Sequence, residues 1–233
     1  MRAAVMHEPG NVTVEDMPMP TILEPTDAII KLAATCICGS DLWPYRGSEP
    51  VHEQRMGHEY VGTVVEVGEA VTTVKPGDFV VGSFCISCGE CTTCRSGYPS
   101  RCTTAATQGD AFIGMRAGGT QAEYARIPLA DGTLVKTPAA PTPEQLPSLL
   151  AASDVLGTGW FAADEAGATP GRPSSSWVTG PWAWARSSAP SSWARPASSR
   201  CRAMQTARHW PASSERPTSS KSAAKRASPA SRN

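Results

Sequence analysis

The sequence predicts a mainly β protein with a few helices: a partly open barrel over residues 1 to about 150, a connecting helix, and a disordered tail. Three observations carry that expectation. Short Val/Ile/Ala-rich runs of strand length fill the first 140 residues, with turn signals between them. The first long helical periodicity arrives only at residues 142–167. Beyond residue 172 aliphatic side chains all but vanish.

The strands follow in order as "RAAVM" (2–6), "DAIIKLAAT" (27–35), "YVGTVVEVG" (60–68), "DFVVGSF" (78–84) and "QAEYARIP" (121–128). Glu-Pro-Gly at 8–10, Pro-Gly-Asp at 76–78 and Gly-Gly at 118–119 punctuate them, as expected of a small barrel rather than a sheet wound with helices. In "TPEQLPSLLAASDVLGTGWFAADEAG" apolar residues recur at three- and four-residue spacing, and Thr142 is placed to cap the helix N-terminus.

A net charge of zero hides two opposite parts. Residues 1–172 hold 11 Lys/Arg against 20 Asp/Glu, whereas 173–233 hold 10 against the single acid Glu215. The tail has 16 Ser, 7 Pro and only Val178 from the Leu/Ile/Val/Phe/Tyr group. Such a segment cannot bury enough apolar surface to offset about 1–2 kcal/mol per residue of backbone ordering, so disorder is expected. The N-terminus lacks the charged and apolar regions of a signal peptide, and no run approaches a membrane span. The expectation is a cytoplasmic protein with no membrane partner, in which closely spaced cysteines bind metal rather than pair.

"SCGECTTCRSGYPSRC" sets Cys88, Cys91, Cys94 and Cys102 as C-x2-C-x2-C-x7-C. Two-residue gaps let a looping backbone bring successive sulfurs to about 2.3 Å from one zinc. Four thiolates leave that ion no open position, so its role is structural; Cys85 is a competing ligand by position. A second, open site is suggested by "CICGSD" (36–41), "GHEYVGTVVEVGEAV" (57–71) and "AASDVLGTGW" (151–160). A thiolate, an imidazole and a carboxylate from three separated segments make a zinc site whose fourth position stays free for substrate.

The pattern G-H-E-x2-G-x5-G-x2-V followed by the four-cysteine loop resembles the zinc-containing medium-chain alcohol dehydrogenases over residues 1 to about 172. The resemblance implies a GroES-like catalytic domain over 1–150, a connecting helix and cofactor-domain junction over 151–172, and a Rossmann domain after it. It implies Cys38, His58 and Asp154 as catalytic zinc ligands, with Glu59 behind the metal and able to coordinate it in turn with water. Ser40 matches the hydroxyl that passes the alcohol proton outward, and Asp41 the carboxylate that orients the zinc-bound histidine. Cys36 has no matching role and is expected to be a buried strand residue. Relatives carry a histidine three residues after that hydroxyl, where this chain has Trp43, so proton release needs another route; His52 is a weak candidate.

By the same resemblance the cofactors are two zinc ions, one catalytic and one structural, together with NAD(P), and the substrate is a small alcohol or carbonyl compound. Here "GATPGR" runs into "SSSWVTGPWAW" instead of a strand and G-x-G-x-x-G. Tryptophan has one codon. Regrouping each triplet one base earlier turns the codons spanning Trp177–Val178, Trp182–Ala183 and Trp184–Ala185 into glycine codons. The regrouped string reads V-V-V-V-G-D-G-A-V-G-L-G, a strand entering a dinucleotide-binding fingerprint. Residues 173–233 therefore read as a frameshifted Rossmann half, and negligible dehydrogenase activity is expected of the chain as written. In that regrouped frame the second strand ends in Arg rather than an acid, which leans to NADP. The competing reading is a non-enzymatic zinc-binding remnant or interaction module whose basic tail contacts nucleic acid, a partner given little weight. Family homo-oligomers pair largely through the cofactor half, which leaves oligomer formation by this chain in doubt.

Overall fold

The structure is a computed structural model that describes residues 1–108, 112–113 and 118–165. The expected disordered tail, and the end of the helical pattern before it, lie outside these residues. Among the described residues eight strands form two antiparallel sheets. In the smaller, β1 (Arg2–Glu8) lies between β2 (Asn11–Asp16) and β4 (Gln54–Arg55). In the larger the order is β7 (Tyr124–Ile127), β3 (Ala28–Thr35), β5 (Tyr60–Val67), β6 (Phe79–Gly82), β8 (Leu134–Lys136). An Ala3–Ala122 bridge, with Ala4 N donating to Gln121 O at 2.8 Å, ties the sheets together.

All five predicted strands are present as β1, β3, β5, β6 and β7; β2, β4 and β8 were not predicted. Their absence from the sequence pattern has a physical cause. Both valines of β2, Val12 and Val14, are exposed, while β4 and β8 are only two and three residues long. Sheet pairing rather than local pattern holds such strands.

Side chains alternate across the pleat, and the inward set of β3, β5, β6 and β7 makes the core: Ala28, Ile30, Tyr60, Val64, Val80, Ala125 and Ile127. Ile86, Cys102 and Ala105 of the cysteine-rich segment belong to the same cluster, so that loop is packed into the barrel. Tyr60 is completely buried and its hydroxyl donates to Ser83 O at 3.2 Å. Its ring lies over Gly82, the residue paired with it on β6; a Cβ there would come within 1.9 Å of the ring. Two buried or half-buried carboxylates fasten loops. Asp27 accepts from Leu23 N, Glu24 N and Arg126 Nη1, and Asp131 accepts from the backbone and hydroxyls of Thr72 and Thr73.

Short helices occupy the connections: α1 (Leu42–Tyr45), α2 (Thr92–Arg95), α3 (Thr103–Gln108) and α4 (Ala130–Thr133). The single helix expected from residue 142 is broken. Thr142 does act as a cap, but of a 3-10 turn, Pro143–Gln145, whose Gln145 side chain accepts from Thr142 N at 2.9 Å. Then come α5 (Leu146–Ala151) and α6 (Val155–Glu165), with Ala152–Asp154 between them. Ser153 hydrogen-bonds back to Leu150 O and Asp154 accepts from the Thr158 hydroxyl, the local side-chain bonding that competes with helix continuation. Among the described residues no helix is long and apolar enough to cross a membrane.

Candidate metal centres

Cys38 follows β3 and opens a 3-10 turn, Gly39–Asp41, its own N–H donating to Asp41 Oδ2 at 2.8 Å. His58 precedes β5. It is delivered by Gly57, whose φ of +94° lies in the left-handed region and whose missing side chain leaves room for Gln121, 2.6 Å from where a Cβ would stand. Asp154 is supplied by the break between α5 and α6. These three residues come from segments up to 116 positions apart, yet their donor atoms all lie within 4.8 Å of one another.

The separations match a shared ion. Cys38 Sγ and Asp154 Oδ2 are 3.7 Å apart, and His58 Nε2 and Asp154 Oδ2 3.4 Å. Zinc bond lengths at tetrahedral angles require edges of ~3.6 Å for sulfur to oxygen and ~3.4 Å for nitrogen to oxygen. Cys38 and Asp154 are 7% and 5% exposed, so the sulfur and the carboxyl are held away from water. Three donors with one vertex of the tetrahedron unclaimed suit an ion that takes a further ligand.

Electrostatics agree with that donor set. Burial pulls the His58 imidazolium down, but contacts with Asp154, Asp41 and Cys38 outweigh it and push its pKa up to about 12. Burial raises the Asp154 carboxyl, but His58 and Thr158 hold it below its ordinary value. A cation is thus strongly favoured between these anions; a metal would take the place of the His58 proton, since ligation needs neutral imidazole.

Asp41 Oδ1 is 3.5 Å from His58 Nδ1 and its other oxygen accepts from Gln121 Nε2 at 3.3 Å. Ser40 Oγ lies 3.5 Å from His58 Nε2, beside the donors. Glu59, 2% exposed, sits outside the converging three: its Oε2 accepts from the Cys36 thiol at 2.6 Å, and burial raises its pKa. Cys36 lies just past the end of β3 and is only half-buried, so it is neither a strand nor a core residue. Its thiol is pushed up to about 12, chiefly by burial and then by Glu59.

Cys88, Cys91, Cys94 and Cys102 form the second converging group. Cys102 Sγ is 3.6 Å from Cys88 Sγ and 4.0 Å from Cys91 Sγ, spanning the ~3.8 Å edge of a zinc–thiolate tetrahedron. Backbone N–H groups point at the sulfurs: Cys88 N and Ala105 N at Cys102, Cys91 N at Cys88, Cys94 N at Cys91. The Cys94 N–H is the main reason the Cys91 thiol falls to about 5, a thiolate at neutral pH. Cys85 is not in the group; it is buried, and desolvation pushes it up to about 12.

A cavity of about 470 Å³ opens over Cys38, His58 and Asp154, walled by Trp43, Val51, Phe84 and Phe112. Trp43 lines it, while His52 does not. Gln121, Thr158 and Phe84 carried no mark of a site residue in the sequence. Gln121 reaches the site through Asp41 from a distant segment, Thr158 through Asp154 one helical turn before it, and Phe84 lies edge-on to His58 at 6.2 Å between centroids.

Residues 24–139 match the family model described as the alcohol dehydrogenase GroES-like domain. Zinc-type alcohol dehydrogenase B of Aspergillus flavus is 44% identical over 167 residues, covering 71% of this chain and 37% of that protein. Alcohol dehydrogenase TADH from Thermus sp. ATN1 superposes with a TM-score of 0.65 at 34% identity, over 73% of this chain and 49% of that one. A putative zinc-binding dehydrogenase from Sinorhizobium meliloti 1021, solved bound to NADP, gives 0.59 at 29% identity over 73% of this chain and 46% of that one. The chain spans about half the length, or less, of the relatives it matches.

Proposed function

This chain belongs to the zinc-containing alcohol dehydrogenase family, and on that premise we propose that Cys38, His58 and Asp154 hold a catalytic zinc while Cys88, Cys91, Cys94 and Cys102 hold a structural one. The activity proposed for the intact protein is NAD(P)-linked interconversion of a small alcohol with its aldehyde or ketone. The observation that carries this reading is the meeting of a thiolate, an imidazole and a carboxylate at tetrahedral spacing beneath one cavity.

Zinc at the open site supplies Lewis acidity toward an alcohol or carbonyl oxygen. The protein's part is set by its own residues. Cys38 and Asp154 bring two negative charges and His58 none once it is deprotonated, so the ligand charge balances a divalent ion. Asp41 faces Nδ1 of His58 and thereby keeps Nε2 turned toward the other donors. Ser40, beside Nε2, is the hydroxyl placed to take a proton from a substrate held there. The apolar walls of Trp43, Phe84 and Phe112 favour an apolar substrate body. Glu59 is assigned a supporting role behind the ligands, its carboxylate held by Cys36.

The nicotinamide cofactor belongs to a Rossmann domain, and the sequence of residues 173–233 as written contains neither an apolar strand pattern nor G-x-G-x-x-G. The chain is therefore proposed to be inactive: without a positioned nicotinamide, an advantage worth roughly 7–11 kcal/mol in favourable cases is lost. Metal analysis of purified protein tests the site. Two zinc ions per chain are expected, falling to one in Cys38→Ser; two ions retained in that variant would overturn the ligand assignment. Sequencing the encoding DNA for a one-base deletion near the codon of Pro173 tests the origin of the tail. With the frame restored, oxidation of simple alcohols should appear with NADP or NAD.

A further inference from the structure

His7, on β1, bridges two carboxylates that belong to different elements. Its Nδ1 lies 2.9 Å from both oxygens of Glu53, and its Nε2 lies 2.8 Å from Glu15 Oε1 on β2 and 2.8 Å from Thr13 Oγ1. Thr13 in turn donates to Glu15 at 2.7 Å, so the ring is gripped from both sides. Glu53 ends the segment that leads into β4, and its φ of +47° is a left-handed conformation that a residue with a side chain rarely adopts. Something must hold it there, and the reach to His7 is what the structure supplies.

That segment matters because Glu49, Pro50, Val51 and Gln54 line the cavity above Cys38, His58 and Asp154. It leaves α1 through Ser48 N, which donates to Trp43 O at 2.9 Å, and is next fixed by the pairing of Gln54 with Met6. We propose that His7 is a positioning residue for the substrate cavity: clamped between Glu15 and Glu53, it fastens residues 49–53, one wall of the cavity, to the β1–β2 hairpin. This rests on reading the cavity as the substrate pocket.

The charged groups facing His7 are Glu53 from the wall segment and Glu15 from β2, and Thr13 is a neutral third. The hydrogen bond that His7 donates to Glu53 is the main cause raising the His7 pKa above its ordinary value, with Glu15 adding to it. The sign follows from linkage: a raised histidine contributes its full stabilisation below the unfolded value and loses it as pH rises through the folded one. The wall is thus tight at mildly acidic pH and loosens on the alkaline side.

Hydrogen exchange of the purified chain, corrected for intrinsic rates, reads this directly. Protection of residues 49–53 should fall about fivefold between pH 6 and pH 9, the scale of an exposed ion pair. His7→Gln and Glu53→Gln should show the low protection at both pH values, and His7→Lys, which keeps a positive charge, the high protection at both. Protection of Thr72 and Thr73, held by Asp131, serves as the unaffected reference. Wild-type protection in His7→Gln, or a pH dependence that survives in Glu53→Gln, would overturn the proposal. Zinc content is measured on the same samples. Protein lacking zinc but showing the predicted exchange pattern would sink the reading of the site and leave the clamp standing.

Discussion

Replacing Gly82 with alanine tests the packing that stands behind His58. A Cβ at Gly82 would lie 1.9 Å from Tyr60 Cε2, 2.0 Å from Cζ and 2.4 Å from the hydroxyl oxygen. Ordinary carbon contacts are about 3.5–4.0 Å, so the ring must retreat by ~1.5 Å or more. It has nowhere open to go, because Tyr60 is wholly buried among Ile30, Val80 and Ile127. Overpacking of this kind costs about 1–3 kcal/mol, and moving the hydroxyl away from Ser83 O forfeits about 1 kcal/mol more. The expected loss is ~2–4 kcal/mol, a fall in Tm of roughly 5–15 °C for an ordered region of this size. Tyr60 stands two residues after His58 on β5, so zinc retention at the open site should weaken as well.

Urea unfolding gives the stability and metal analysis the zinc content. The double variant Gly82→Ala with Tyr60→Leu removes the ring that clashes, so the two effects should be less than additive by about 1–3 kcal/mol. Tyr60→Phe keeps the ring and should give no such relief. A Gly82→Ala protein within about 0.5 kcal/mol of wild type, the range of an inconsequential surface change, would refute the packing described.

Asp131 is held below its ordinary pKa: burial raises it, but hydrogen bonds from Thr73 and Thr72 outweigh that. Its stabilisation is therefore present above the unfolded carboxylate value of about 3.9 and is lost as pH falls through the lower folded value. Asp131→Ala should cost about 1 kcal/mol at pH 7 and show a smaller loss of stability than wild type on acidification, read by urea unfolding between pH 7 and pH 3. Asp27→Ala should cost about 1–3 kcal/mol in the same assay, because the Leu23 and Glu24 N–H groups and Arg126 Nη1 all lose the carboxylate they share. Asp41→Asn should retain both zinc ions at purification yet lose the catalytic one to a chelator at 10–100-fold lower concentration, read by metal competition. An unchanged competition curve would mean that Asp41 does not position His58.

The sequence showed most of the donor chemistry because that chemistry is local. C-x2-C-x2-C fixes three sulfurs within one loop, and Gly57 with His58 records a backbone geometry in two adjacent letters. Strands whose inward faces carry Val, Ile and Ala were visible for the same reason. The break at Ala152–Asp154 was not: periodicity continues through it, and the break shows only in the side-chain bonds of Ser153 and Asp154 and in the meeting of Asp154 with Cys38 and His58. The His7 clamp was also hidden, since Glu53 is 46 positions away and only strand pairing brings it near. Gln121 sits on a segment predicted correctly as extended, but nothing in "QAEYARIP" says that its amide ends on Asp41.

Cys102 is both a sulfur of the four-cysteine group and a member of the barrel's apolar cluster, together with Ala105 just beyond it. The loop is thus less an appendage clipped by an ion than a plug seated in the wall it closes. Removing an ion held by those four sulfurs, as proposed above, should uncork the barrel, so that chelation and heat melt loop and sheets in a single step rather than in succession.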